Sequence, residues 1–92
     1  MSIVIIGGHE RMANRYKEIC IKYSHKPKVF TKMRSDLSRQ IGTPDLVILF
    51  TATVSHKMVR CAVVESERNH FRLERSHSSS ASALIQILEA YA

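Results

Sequence analysis

The sequence has only two cysteines, few carboxylates, and no apolar run near the roughly 18–20 residues that a membrane span requires. The missing apolar run excludes a transmembrane helix. Two cysteines, in a chain that passes directly into Ser2-Ile-Val-Ile-Ile-Gly-Gly8 with no basic stretch or cleavage site, point to free thiols in a reducing, cytoplasmic setting. A secreted, disulfide-stapled miniprotein is excluded on the same ground. No linker, internal repeat or heptad run is visible. At 92 residues the chain suits one compact α/β domain over 1–92 rather than a multidomain enzyme. It would bury about 60–65% of its unfolded surface, a modest core that makes self-association reasonable.

Eight Asp and Glu stand against fourteen Lys and Arg, a net charge of +6. The excess is uneven, with nine basic and four acidic side chains in residues 1–45 and five and four in the remainder. Such a basic half attracts nucleic acid or a small phosphorylated ligand.

Ile3-Val-Ile-Ile6 is wholly apolar and β-branched, as in a strand buried on both faces of a parallel sheet. Met12, Tyr16, Ile19, Cys20 and Tyr23 then trace one stripe of a helix from about Arg11 to Tyr23, which Pro27 prevents from continuing. Lys28–Thr31 reads as a second strand, and Leu37 and Ile41 share the face of a short helix closed by Gly42. Leu46-Val-Ile-Leu-Phe50 is the clearest central strand. Ser55 caps a helix with Val59, Ala62, Val63 and Ser66 on one face, fraying near Asn69. Phe71–Glu74 alternates as a fourth strand. Ala81, Leu84, Ile85, Leu88 and Tyr91 form the last helix face.

This β-α-β-α-β-α-β-α alternation predicts a Rossmann-like or flavodoxin-like three-layer sandwich with a four-stranded parallel sheet of order 2-1-3-4. Right-handed crossovers would put Cys20 and Cys61 on opposite faces, so no disulfide between them is expected.

Ligands of open parallel sheets bind beyond the carboxyl ends of the strands, where strand order reverses. Three segments fall there: Gly7-Gly-His-Glu-Arg11, Thr51-Ala-Thr-Val-Ser-His-Lys57 and Arg75-Ser-His-Ser-Ser-Ser80. Together they hold His9, His56 and His77, the hydroxyls of Thr51, Thr53, Ser55, Ser76, Ser78, Ser79 and Ser80, and the cations Lys57 and Arg75. Lys57 sits in the first turn of its helix, where a cation opposes the macrodipole by roughly 0.3–1 kcal/mol. Basic groups, hydroxyls and glycines at helix N-termini are what a phosphate site uses. The same Ser and Thr residues can also be ordinary helix caps, with the histidines merely at the surface.

Enzymatic chemistry has little support. Gly7-Gly-His-Glu-Arg11 lacks the spaced third glycine of a dinucleotide fingerprint, and the second strand ends in Thr31-Lys32 where such a site has an acid. There is no Walker lysine motif and no Gly-x-Ser-x-Gly elbow. Asp45 should lie at the opposite end of its strand, leaving Glu10 and Glu74 as the carboxylates near the site. His9, His56 and His77, with Glu10, could converge on Zn or Fe, although no local ligand spacing supports it. No cofactor is identified.

Ile-Gly-Gly-His9, Pro44-Asp-Leu-Val-Ile-Leu-Phe-Thr51 with Val54-Ser-His-Lys57, and Glu74-Arg-Ser-His-Ser-Ser-Ser80 together resemble a small bacterial family. It is the domain-of-unknown-function family "twenty-three twenty-five", and the resemblance runs from Ser2 to about Leu88. It implies a bacterial, cytoplasmic, Rossmann-like domain. Its characteristic positions fall on Gly7, Gly8, His9, Pro44, Asp45, Thr51, Val54, Ser55, His56, Arg75, Ser76, Ser78 and Ser79. Relatives with arginine at His9 and cysteine near Thr53 would fit an anion site better than a metal site, since Arg and His both donate to phosphate.

The leading expectation is a non-enzymatic ligand-binding or sensor domain for a small anionic, phosphorylated molecule, acting as a homodimer. Gly7, Gly8, His9, Thr51, Thr53, Ser55, His56, Lys57, Arg75, Ser76, Ser78 and Ser79 would form the site. One alternative is a nucleic-acid-associated module using Arg11, Arg15, Lys17, Lys22, Lys26, Lys28, Lys32, Arg34 and Arg39, although no reading motif lies among them. Another is a metal- or haem-binding redox sensor built on His9, His56 and His77. No membrane partner is expected.

Overall fold

The computed structural model describes residues 1–91. Its strands are β1 (Ser2–Ile6), β2 (Lys26–Phe30), β3 (Leu46–Phe50) and β4 (Arg72–Ser76). Its helices are α1 (Ala13–Lys22), α2 (Leu37–Ile41), α3 (His56–Asn69) and α4 (Ala81–Ala90). The strands form one parallel sheet in the order β2-β1-β3-β4, as the alternation of elements predicts.

Residues 3–6 and 46–50 have side chains exposed by 1% or less, which is why both central strands are continuously apolar. Their alternation divides the core. Ile3, Ile5, Leu46, Ile48 and Phe50 pack against Tyr16, Ile19 and Cys20 of α1 and Leu84 and Leu88 of α4. Val4, Ile6, Val47 and Leu49 pack with Phe30 of β2, Leu37 and Ile41 of α2, and Met58 and Ala62 of α3. Cys20 and Cys61 therefore belong to opposite faces, and both are free thiols. Truncating any one of these fully buried Leu or Ile side chains to Ala would cost about 2–5 kcal/mol.

Three boundaries differ from those read in the sequence. β2 begins at Lys26, two residues early, because Pro27 is tolerated on an edge strand that needs no donor on its outer side. What closes α1 is a Schellman turn, in which His25 N–H donates to the Cys20 carbonyl (2.9 Å) and Ser24 N–H to Ile21 (2.9 Å), with Ser24 at φ 66°. β4 continues through Arg75 and Ser76, pairing with Leu49 and Phe50. Tyr91 ties this edge strand to α4, its hydroxyl donating to Glu74 at 2.6 Å.

The buried face of α3 also differs. Met58, Ala62 and Glu65 are buried, rather than Val59, Ala62, Val63 and Ser66. The helix packs against α2 as well as the sheet, and Val59 stays partly buried at the edge of that core while Val64 is left exposed. Glu65 is held at its edge by Asn69 Nδ2 (3.4 Å) and Arg68 (3.6 Å). Among the described residues no helix is long and apolar enough to cross a membrane.

Candidate functional site

At the β1 tip the chain turns through Gly7 and Gly8, with φ 99° and 83°, a region that L side chains avoid. Both residues are buried. A Cβ on Gly7 would stand 2.9 Å from the Phe50 carbonyl oxygen, and one on Gly8 only 2.6 Å from the Tyr16 hydroxyl. Their N–H groups are occupied: Gly7 donates to the Phe30 carbonyl (2.9 Å) and Gly8 to Thr53 Oγ1 (2.8 Å). The glycines thus let neighbouring elements close on one another. His9 follows in extended conformation and is exposed, leading into a 3-10 turn over Glu10–Met12 that feeds α1.

β3 ends in a 3-10 turn over Thr51–Thr53. Thr53 accepts from Gly8, and the Thr51 hydroxyl donates to the Ser76 carbonyl at 3.4 Å. Ser55 caps α3, its Oγ accepting from Met58 N–H at 3.3 Å. The N–H groups of His56 and Lys57, first in the helix, have no carbonyl within it to reach.

Beyond β4 the serines organise their own loop. Ser76 Oγ donates to the Ser78 carbonyl (2.7 Å), Ser78 Oγ meets Ser80 Oγ (3.1 Å), and Ser80 Oγ caps α4 by accepting from Ala83 N–H (3.1 Å). The Ser79 carbonyl accepts from the Tyr16 hydroxyl at 2.6 Å. Burial pushes the Tyr16 phenol above its ordinary range, so it remains a donor at neutral pH.

The three segments are therefore brought together, joined by the pairs Gly8–Thr53, Thr51–Ser76 and Tyr16–Ser79. Thr53, Ser55, Ser76, Ser78 and Ser79 all contribute to this framework. The basic side chains surround it instead of converging on a single point. His9 lies in a groove with Arg11 and Met12. His56 and Lys57 line a groove of about 550 Å³ with Val59, Arg60, Val63 and Val64, and Arg75 and Ser76 border a third groove against α4. Among the described residues no three His, Cys, Asp or Glu side chains stand close enough to hold a metal ion, so His9, His56 and His77 do not form the metal cluster that was one expectation. These rings stand on separate segments, His9 after β1, His56 at the start of α3 and His77 after β4.

His9, Arg11, His56, Lys57, Arg75 and His77 are exposed, and none has an ion-pair partner among the described residues. Glu10, the carboxylate among them, is taken by Lys32 at 3.4 Å. Asp45 lies at the far end of the sheet, where its Oδ2 accepts from Ser2 N–H at 2.7 Å. Two contributors escaped the sequence reading. Arg60, one turn beyond His56 and Lys57, was detectable from helical spacing; Tyr16, which read as one more residue of a core stripe, was not.

A family model described as "Uncharacterized protein conserved in bacteria (DUF2325)" matches residues 2–91. No curated protein and no solved structure matches the chain.

Proposed function

The chain belongs to this DUF2325 family of bacterial proteins, and from its strand-tip geometry we propose a non-catalytic binding or sensor domain for a small phosphorylated anion. The observation that carries this reading is the set of six exposed basic side chains around the carboxyl end of the sheet, none ion-paired among the described residues, while the carboxylates Glu10 and Glu74 are engaged by Lys32 and by Tyr91 with Arg72. The capped N-termini of α3 and α4 add their dipoles and the free N–H groups of their first turns. His56, Lys57 and Arg75 supply charge, His9 and His77 supply further donors, and the cross-linked loops fix where these groups stand. A rigid framework with polar groups on its rim suits recognition.

The test is calorimetric titration of inorganic phosphate and a panel of nucleotides into the wild type, His56→Ala and Arg75→Ala. A phosphorylated compound should bind the wild type and lose tenfold or more in affinity with either variant. Equal affinity in all three proteins, or no binding from the whole panel, overturns the assignment.

A specific observation favours a second reading. Arg11, Arg15, Lys17 and Lys22 lie along α1 and its lead-in, Lys26 and Lys28 on edge strand β2, and Lys32, Arg34 and Arg39 on the segment through α2; all nine are exposed. Among the described residues only Glu10, Glu18 and Asp36 pair with any of them. This basic border wraps the β2 edge from one face of the sheet to the other, a footprint suited to a phosphate backbone. Affinity for nucleic acid that falls steeply with salt would support it, and a flat salt response would remove it.

A homodimer in the cytoplasm completes the proposal. The small core and two short edge strands favour a second copy, and the two free thiols suit a reducing compartment.

A further inference from the structure

Helix α3 carries apolar side chains on the side turned away from its own core. Met58, Ala62 and Glu65 point inward, and at about 100° per residue the opposite side is His56, Arg60, Val63, Val64 and Glu67. Val64 is 44% exposed and Val63 half-buried, while Met33, from the loop before α2, is 43% exposed and shares a groove with Val64. Valine is a poor choice for an outward helix position, because its branched Cβ restricts the rotamers available there. Helix stability therefore does not explain this pair of valines.

The charges on the same face are arranged symmetrically. Arg60 precedes the midpoint between Val63 and Val64 by three and a half residues, and Glu67 follows it by the same interval. Seven residues of helix separate the two by about 10.5 Å, too far to pair within one chain, and neither has an ion-pair partner among the described residues. If a second α3 is laid antiparallel across the first, with a twofold axis between Val63 and Val64, Arg60 of each copy falls opposite Glu67 of the other. Val63 and Val64 then meet their own counterparts at the axis, and the helix dipoles oppose. A self-complementary patch of this kind is what a twofold interface requires.

We propose that the outward face of α3 is the surface on which two copies of this chain associate, antiparallel about Val63 and Val64, with two reciprocal Arg60–Glu67 ion pairs. This rests on the homodimer reading above and names its surface. His56 lies on the same face, about 11 Å along α3 from the axis, so a second copy would wall the groove that His56 and Lys57 line with Arg60, Val63 and Val64.

Sedimentation equilibrium of the full chain over a wide concentration range tests it, using the wild type, Arg60→Glu, Glu67→Arg and the double variant carrying both. Circular dichroism melts confirm that each protein folds, as expected for exposed positions. The wild type should dimerise, each single reversal should weaken the dimer tenfold or more by placing like charges opposite, and the double reversal should restore it. A dimer that ignores both single reversals, or is not restored by the double variant, overturns this surface while leaving the homodimer reading standing. A wild type that stays monomeric throughout overturns both.

Discussion

The Tyr16 hydroxyl, fully buried in α1, donates a 2.6 Å hydrogen bond to the carbonyl of Ser79, 63 residues away in the loop that enters α4. The same ring packs 5.2 Å from Phe50 at the end of β3, and its hydroxyl edge leaves room only for a glycine at position 8. One phenol thus fixes α1 against the tips of β1 and β3 and against the serine loop. Tyr16→Phe should keep the packing and lose the bond, leaving the Ser79 carbonyl without that donor. A loss of about 1–3 kcal/mol is expected, or roughly 4–8 °C in Tm per kcal/mol for a domain near this size. Thermal melts would measure it, and hydrogen exchange should rise selectively in residues 77–80.

Gly8→Ala should cost more than the loss of a hydrogen bond alone. Its Cβ would stand 2.6 Å from Tyr16 Oη and 2.7 Å from Cε2, and it would have to adopt φ 83°. Overpacking of that kind costs about 1–3 kcal/mol, with backbone strain added. Removing the hydroxyl relieves only the first contact. The double variant Gly8→Ala/Tyr16→Phe should therefore be less destabilised than the sum of the single variants, by about 0.5 kcal/mol or more in a denaturation cycle.

Ser55 allows capping and ligand binding to be separated. Ser55→Ala should lose about 1 kcal/mol through the α3 cap. Ser55→Asp keeps a good cap and complements the helix dipole, so its melting temperature should match or exceed the wild type. It also places a negative charge where the proposed anion binds, and phosphate-ligand affinity should fall sharply. Undiminished affinity in Ser55→Asp would locate the ligand elsewhere.

Burial raises the Cys20 thiol from its ordinary value near 9 to about 11. The unfolded chain then releases this proton before the folded one, so stability falls as pH rises. The contribution is complete below pH 9 and is largely lost by about pH 11, an interval of roughly 3 kcal/mol. Denaturant titrations from pH 8 to 11 should show this alkaline loss, and Cys20→Ala should flatten it. Alkylation at pH 8 should reach the half-buried Cys61 first, whose thiol burial also raises, and Cys20 only upon unfolding.

Ile3–Ile6 and Leu46–Phe50 declared themselves as strands buried on two faces, and from them the strand order and the separation of Cys20 from Cys61 could be derived. The cap at Ser55, written in one residue and the turn after it, was legible for the same reason, whereas Ser80 was one of three neighbouring serines able to cap α4. The edges were less so. β2 and β4 are stabilised on one side by a neighbour's backbone, whose register alone decides that Lys26 and Ser76 belong to the strands.

The sequence by itself determined what repeats locally: the alternation of a strand, the stripe of a helix, the side-chain oxygen before its first turn. The hydroxyls and glycines at the strand tips were visible, but their use was not. Gly8 bonds to Thr53 across 45 residues and Tyr16 to Ser79 across 63, and contacts so distant leave no periodicity to read. The inward face of α3 was likewise decided only when α2 packed beside it, which buried Met58 and Glu65 and left Val64 turned outward. Periodicity tells a residue that it must be covered. Only the packed neighbours decide by what.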